Sequence, residues 1–96
     1  MARMGSDERK ARDEAFDELM ASINPDFALR REMKAARRRA GLSQRELAKR
    51  MQTGQPVIAR LEQGRGLPSI KTLRRMAEAT GSRLVIRLEL TKPAGS

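Results

Sequence analysis

A chain of 96 residues, 39% of them hydrophobic, can build one small core with an arm or tail and no second independent core. It contains no cysteine and no histidine, which removes disulfides, thiol nucleophiles, the usual zinc sites and Ser-His-Asp chemistry together, so neither catalysis nor a metal or cofactor is expected. The net charge of +9 divides unevenly: residues 1–30 carry five basic and seven acidic side chains (net −2), residues 31–96 sixteen and five (net +11), so the larger part should meet a polyanion.

Residues 1–5 are expected to fray. From Ser6, an N-cap followed by Asp7 and Glu8, the positions Ala11, Ala15, Phe16, Leu19, Met20 and Ile23 describe an amphipathic helix to about Ser22, the core of an N-terminal arm spanning residues 1–24. This helix is weak alone. Asp13/Glu14 and Asp17/Glu18 lie toward its unfavourable end, and the pairs Arg9–Asp13 and Lys10–Glu14 run in the weaker basic-first order. Its apolar face needs a cover, from its own domain or from another protein. Asn24-Pro25 opens a second helix, to about Ala40, carrying Phe27, Leu29, Met33 and Ala36 and ended by Gly41.

Ser43 and Glu46 form a capping box that starts a third helix. Leu47 and Met51 give it an apolar face, and the small Ala48 lets another helix approach closely. Gln52-Thr53-Gly54 breaks the pattern, and Pro56 fits only the first turn of a fourth helix beginning near Gln55 and ended by Gly64. Ile58 and Leu61, with Val57 as a third candidate, anchor this helix; with Ile58 and Leu61 inward, Gln55, Ala59, Arg60 and Gln63 face outward. The loop Arg65-Gly66-Leu67-Pro68 leads to Ser69, cap of a fifth helix with Ile70, Leu73, Met76 and Ala77 before Gly81; Leu67, Ile70 and Leu73 are expected to close the core. These elements make residues 25–81 one domain.

The period then changes. Over residues 82–91, Leu84, Ile86, Leu88 and Leu90 alternate with Val85, Arg87 and Glu89, which predicts a strand. The chain offers it no partner strand. Pairing with the same strand of a second copy would satisfy its backbone and bury its leucines, making a homodimer; the other reading is an edge segment lying over the helices. Residues 92–96 are expected to be a disordered tail.

Two short helices joined by a tight turn in a basic chain form the arrangement that sets a helix in a DNA major groove. A helical hairpin that only packs a core would show the same pattern, and the charge balance weighs against it. Arg31, Lys34, Arg37, Arg38 and Arg39 precede the motif, with Lys49, Arg50, Arg74 and Arg75 in the same domain. Phe16 and Phe27 are the only aromatics, too few for single-strand stacking, which argues for duplex DNA over RNA. No apolar run approaches the roughly 20 residues of a membrane span, and Met1 to Lys10 lacks an apolar signal core, so a cytoplasmic protein with no membrane partner is expected.

LSQRELAKRM followed by QPVIARLEQG resembles the helix-turn-helix of the Cro/C1 or XRE-type repressors. The resemblance implies a mainly α, lambda-repressor-like bundle. It also implies that Gln44 meets backbone phosphate and buttresses Gln55, that Gln55, Pro56, Val57 and Arg60 face bases of operator DNA, and that Arg65 meets phosphate. The chain departs from the family at Gln52, where glycine is usual, and at Gly54, where serine is frequent. The amphipathic arm, the long helix opening NPDF, the QPVIARLEQG helix and the terminal LVIRLEL together resemble the HigA-like type II antitoxins. That likeness implies autorepression and a RelE/HigB-like ribonuclease toxin as partner, with Phe16, Leu19, Met20 and Ile23 as its seat and the acidic residues Asp13, Glu14, Asp17 and Glu18 matched to a basic toxin. A stand-alone dimeric regulator with a structural arm is the alternative.

Overall fold

A computed structural model describes residues 6–91; the expected fraying of residues 1–5 and the expected tail, 92–96, lie outside the described residues. Five helices follow one another: α1 (Ser6–Ile23), α2 (Pro25–Arg39), α3 (Gln44–Arg50), α4 (Gln55–Glu62) and α5 (Ile70–Ala79). Local chemistry sets the starts. The Asp26 N–H donates to Asn24 Oδ1 at 2.9 Å, with Pro25 at the first helical position of α2. Ser43 and Glu46 close both halves of the capping box on α3, each at 3.0 Å, and Ser69 Oγ accepts from the Thr72 N–H at the head of α5. Among α2 to α5, only Gly54, before α4, brings no side-chain cap.

The helix ends share one solution. α2, α3, α4 and α5 each close with a 6→1 backbone bond, from Leu42, Thr53, Arg65 and Ser82 back to Arg37, Ala48, Arg60 and Ala77, which requires a left-handed residue just after the cap. Three of these positions are glycine: Gly41, Gly64 and Gly81. The fourth is Gln52, at φ 56°, the only described non-glycine residue with positive φ. Its Cβ stands close to the following carbonyl oxygen there. Gln52 is exposed, so its removal forfeits no packing, and Gln52→Gly should raise stability by about 1 kcal/mol, or about 4–8 °C in melting temperature. A melting temperature unchanged or lowered would contradict this account of the turn.

The core gathers Met33 from α2, Leu42 from the loop, Leu47 and Ala48 from α3, Met51 at its cap, Ile58 and Leu61 from α4, and Met76 from α5. Leu47 and Ile58 are fully enclosed. Ala48 is almost so, which is what lets α3 and α4 cross closely at the motif. The expected closure by Leu67, Ile70 and Leu73 holds only for Leu73, which packs at the core's margin. Leu67 and Ile70 are exposed, while Met76, one turn beyond Leu73 on α5, is buried in the core.

α1 lies on α2. Phe16 meets Phe27 edge-on at 6.2 Å, Arg30 stacks 3.8 Å over the Phe27 ring, and Asp17 and Glu18 reach Arg30 and Arg31 at 3.8 and 3.1 Å. The face is only partly covered by this: Met20 is half-buried, while Phe16, Leu19 and Ile23 remain 55%, 61% and 69% exposed. No strand forms among the described residues, and the expected one at 82–91 is without regular structure. The reason is physical: a strand exists by pairing, and the other described residues are helices and the loops between them. Leu84 is half-buried, Ile86 is exposed, and Leu88 and Leu90 are completely so. The segment therefore does not lie over the helical core as an edge.

Candidate nucleic-acid interface

α4 carries two faces because Ile58, Leu61 and Glu62 recur at the i, i+3, i+4 spacing of one helical side. All three are buried. The opposite side is left to Pro56, Arg60 and Gln63, all exposed, with Val57 and Gln55 exposed on its flanks and Ala59 half-buried. Gln44, at the start of α3, is half-buried beside them, and its Oε1 accepts a 2.8 Å hydrogen bond from Gln55 Nε2. Arg65 is exposed at the far end of α4, its N–H bonded to the Arg60 carbonyl at 2.9 Å. Gln44, Gln55, Pro56, Val57, Arg60 and Arg65 thus occupy the outer surface of the two-helix motif or, for Gln44, its edge.

Glu62 is the residue that sequence reasoning passed over. Its side chain is 1% exposed, and Arg37 of α2, 13% exposed, grips it with two parallel bonds, Nε to Oε2 at 2.7 Å and Nη2 to Oε1 at 2.8 Å. The third arm of the guanidinium, Nη1, holds the Leu42 carbonyl at 3.0 Å. Arg37 therefore ties α2 to α4 and to the loop before α3. The hydrogen bonds to Glu62 push the Arg37 pKa still higher, against the opposing effect of burial. The signal was in the helical period: a carboxylate four residues after Ile58 and next to Leu61 falls on the inward face and needs a buried cation. Arg37 is accordingly not one of the free charges that the cluster before the motif seemed to supply.

Other basic residues are also engaged. Arg31 is paired with Glu18, and Arg50 Nη1 holds the Ala79 carbonyl at 3.1 Å, pinning the end of α3 to that of α5. Arg38, Arg39, Arg45, Lys49, Arg60 and Arg65 are exposed with no ion pair among the described residues, and they keep the domain's field positive. At the capping box, the Ser43 N–H, followed by its hydroxyl, holds the Glu46 carboxyl below the ordinary carboxylate range. That charge favours the positive end of α3.

The described residues contain no group of three or more His, Cys, Asp or Glu able to hold a metal ion. None of their helices is long and apolar enough to cross a membrane. A short α3, a tight turn and an α4 with one face open to solvent define a helix-turn-helix domain. A family model described as helix-turn-helix matches residues 33–86, more than half of the chain. The chain belongs to this family, the XRE-type helix-turn-helix proteins, whose members are DNA-binding transcription regulators. No curated protein and no solved structure gives a significant match to the chain.

Proposed function

We propose that the protein is a sequence-specific repressor that reads duplex operator DNA as a homodimer, and that it also serves as a HigA-like type II antitoxin in the cytoplasm. In that role it neutralises a RelE/HigB-like ribonuclease toxin by occupying it and represses its own operon. The DNA-reading half rests on the exposed face of α4. Gln55 can pair with adenine and Arg60 with guanine, Pro56 and Val57 offer apolar contact to a thymine methyl, and Gln44 and Arg65 engage phosphates. Leu84, Ile86, Leu88 and Leu90 join two copies so that two α4 helices meet successive major grooves.

The observation that carries the antitoxin half is the stripe on α1. Phe16, Leu19 and Ile23 stay more than half exposed, Met20 lies between them, and the exposed acidic residues Asp13 and Glu14 are nearby in the sequence. An apolar strip with acidic neighbours suits a small basic protein. The stand-alone regulator is favoured by a different observation, the seat that Phe27, Arg30 and Arg31 give to Phe16, Asp17 and Glu18.

Isolation of the tagged chain from its native cells, with mass spectrometry of stoichiometric companions, separates the two. The antitoxin reading expects a small basic protein that cleaves RNA, is inhibited by the full chain, and is lost when residues 1–24 are deleted. No such companion leaves the stand-alone regulator.

For DNA, Arg60→Ala should weaken binding to the preferred duplex by roughly 1–3 kcal/mol and relax one base position. Arg65→Ala should instead weaken all sequences and flatten the salt dependence by about one unit of slope. Titrations of preferred and random duplexes at several salt concentrations check both. Equal losses on the two duplexes for Arg60→Ala would reject its base-reading role.

A further inference from the structure

α2 carries a row of cations, and α1 lies across the first two of them. Arg30, Lys34 and Arg37 recur at i, i+4 and i+7, one side of the helix. That side faces the end of α4: Arg37 grips Glu62, and Arg30 Nη1 donates to the Gln63 carbonyl at 3.2 Å. Arg65, the proposed phosphate contact, follows two residues after Gln63, so Arg30 and Arg65 share one end of α4. Against this row α1 sets two carboxylates. Asp17 Oδ1 lies 3.8 Å from Arg30 Nη2, and Glu18 Oε1 lies 3.1 Å from Arg31 Nη2. The contact of Phe16 with Phe27 holds α1 in that place. Asp17, Glu18, Arg30 and Arg31 all precede residue 33, where the match to the family model begins.

We infer that Arg30 and Arg31 form a further site for DNA backbone phosphate beside the end of α4, and that Asp17 and Glu18 occupy it as internal substitutes for phosphate, so that α1 restrains DNA affinity. Carboxylate and phosphate oxygens accept from the same guanidinium N–H groups, so an arginine must release one to take the other. The exchange is within reach of a polyanion. Arg31 and Glu18 are 49% and 67% exposed, and water weakens such a pair. Phosphate contacts carry no sequence information, so the cover alters affinity for every duplex and leaves the preferred sequence as it is. The inference rests on the proposed DNA reading of α4.

The test is titration of the full-length chain with a preferred and a random-sequence duplex at several salt concentrations. Asp17→Asn combined with Glu18→Gln should tighten binding to both duplexes by about tenfold at low salt. It should also steepen the dependence of log affinity on log salt by about one to two units, since each added phosphate contact contributes about 0.9. Adding Arg30→Gln and Arg31→Gln to that variant should return the slope to its wild-type value. Asp13→Asn combined with Glu14→Gln makes the same change of net charge at exposed positions of α1 that have no ion pair among the described residues. Its effect on the slope should be less than about half as large, because salt screens charges that are not in contact.

Equal effects from the two charge-matched variants overturn the inference, since the arm would then act through its net charge alone. A slope that Asp17→Asn with Glu18→Gln leaves unchanged overturns it too, and a preferred duplex still bound more tightly than the random one keeps the DNA reading standing in that case. A slope that stays steep after Arg30 and Arg31 are replaced places the added contacts elsewhere and also rejects the site. A wild-type chain that binds neither duplex removes the DNA reading and the inference together.

Discussion

Replacing Arg37 with alanine is expected to cost about 3–5 kcal/mol of folding stability, because it leaves the Glu62 carboxylate buried without its cation. The side-chain exposures decide the size. Arg37–Glu62 sits at 13% and 1% exposure, whereas Arg31–Glu18 sits at 49% and 67%, where water screens an ion pair to at most about 1 kcal/mol. For a chain of this length, whose total stability is on the order of 5–15 kcal/mol, the loss is a large fraction of the whole. It also frees the Leu42 carbonyl, which Arg37 holds just before the cap of α3.

The ion pair itself contributes less than that loss implies, since bringing both charges out of water offsets much of their attraction. Arg37→Met combined with Glu62→Leu should therefore recover most of the stability that Arg37→Ala loses. Urea unfolding of the three proteins checks both statements. A loss below about 1 kcal/mol for Arg37→Ala would show that the pair behaves like a solvent-screened surface pair.

If the proposed homodimer forms through residues 84–90, removal of residues 83–96 is expected to give a monomer and to weaken binding to a two-half-site duplex by roughly 10²- to 10⁴-fold, as the second α4 is then no longer tethered to the first. Cutting after Ser82 keeps its N–H bond to the Ala77 carbonyl, which closes α5. Leu84 is half-buried, Leu88 and Leu90 are completely exposed and Val85 and Ile86 largely so, so among the described residues the deletion takes none from the buried core. The truncated chain should melt close to the full-length one. Sedimentation gives the assembly state and titration of the duplex gives the affinity; a truncated chain that still sediments as a dimer would exclude the proposed role of Leu84, Ile86, Leu88 and Leu90.

The motif was legible in the residues because its determinants are local. Ser43 with Glu46 and Pro56 with Gly64 mark where α3 and α4 begin and where α4 ends. The left-handed turn at Gln52 could be suspected because the family's usual glycine is missing there. The buried side was harder to read. Helical period alone places Glu62 beside Ile58 and Leu61, but which of several arginines answers it depends on how α2 crosses α4, and Arg37 was indistinguishable from Arg38 and Arg39 along the chain. The closure expected from Leu67 and Ile70 failed for a related reason: loop and first-turn residues of α5 are close in sequence to the core, and only the angle at which α5 docks decides that Met76 enters and they do not.

The sequence by itself determined the five helices, the caps of α2, α3 and α5, the exposed face of α4 and the positive field around it, because capping, helical period and charge are properties of neighbouring residues; Ser6, expected as the cap of α1, is instead its first helical residue. Tertiary structure alone decided that Arg37 belongs to Glu62, that Glu62 reaches Gln55 through Gln44, and that α1 rests on α2 with its apolar stripe only partly covered. Those facts depend on contacts between residues 11 to 25 positions apart, as for Gln44–Gln55 and Arg37–Glu62, whose partners are chosen by packing. The segment from Leu84 to Leu90 marks the boundary between the two: its alternation is visible along the chain, but a strand needs a neighbour, and the described residues of one chain provide none.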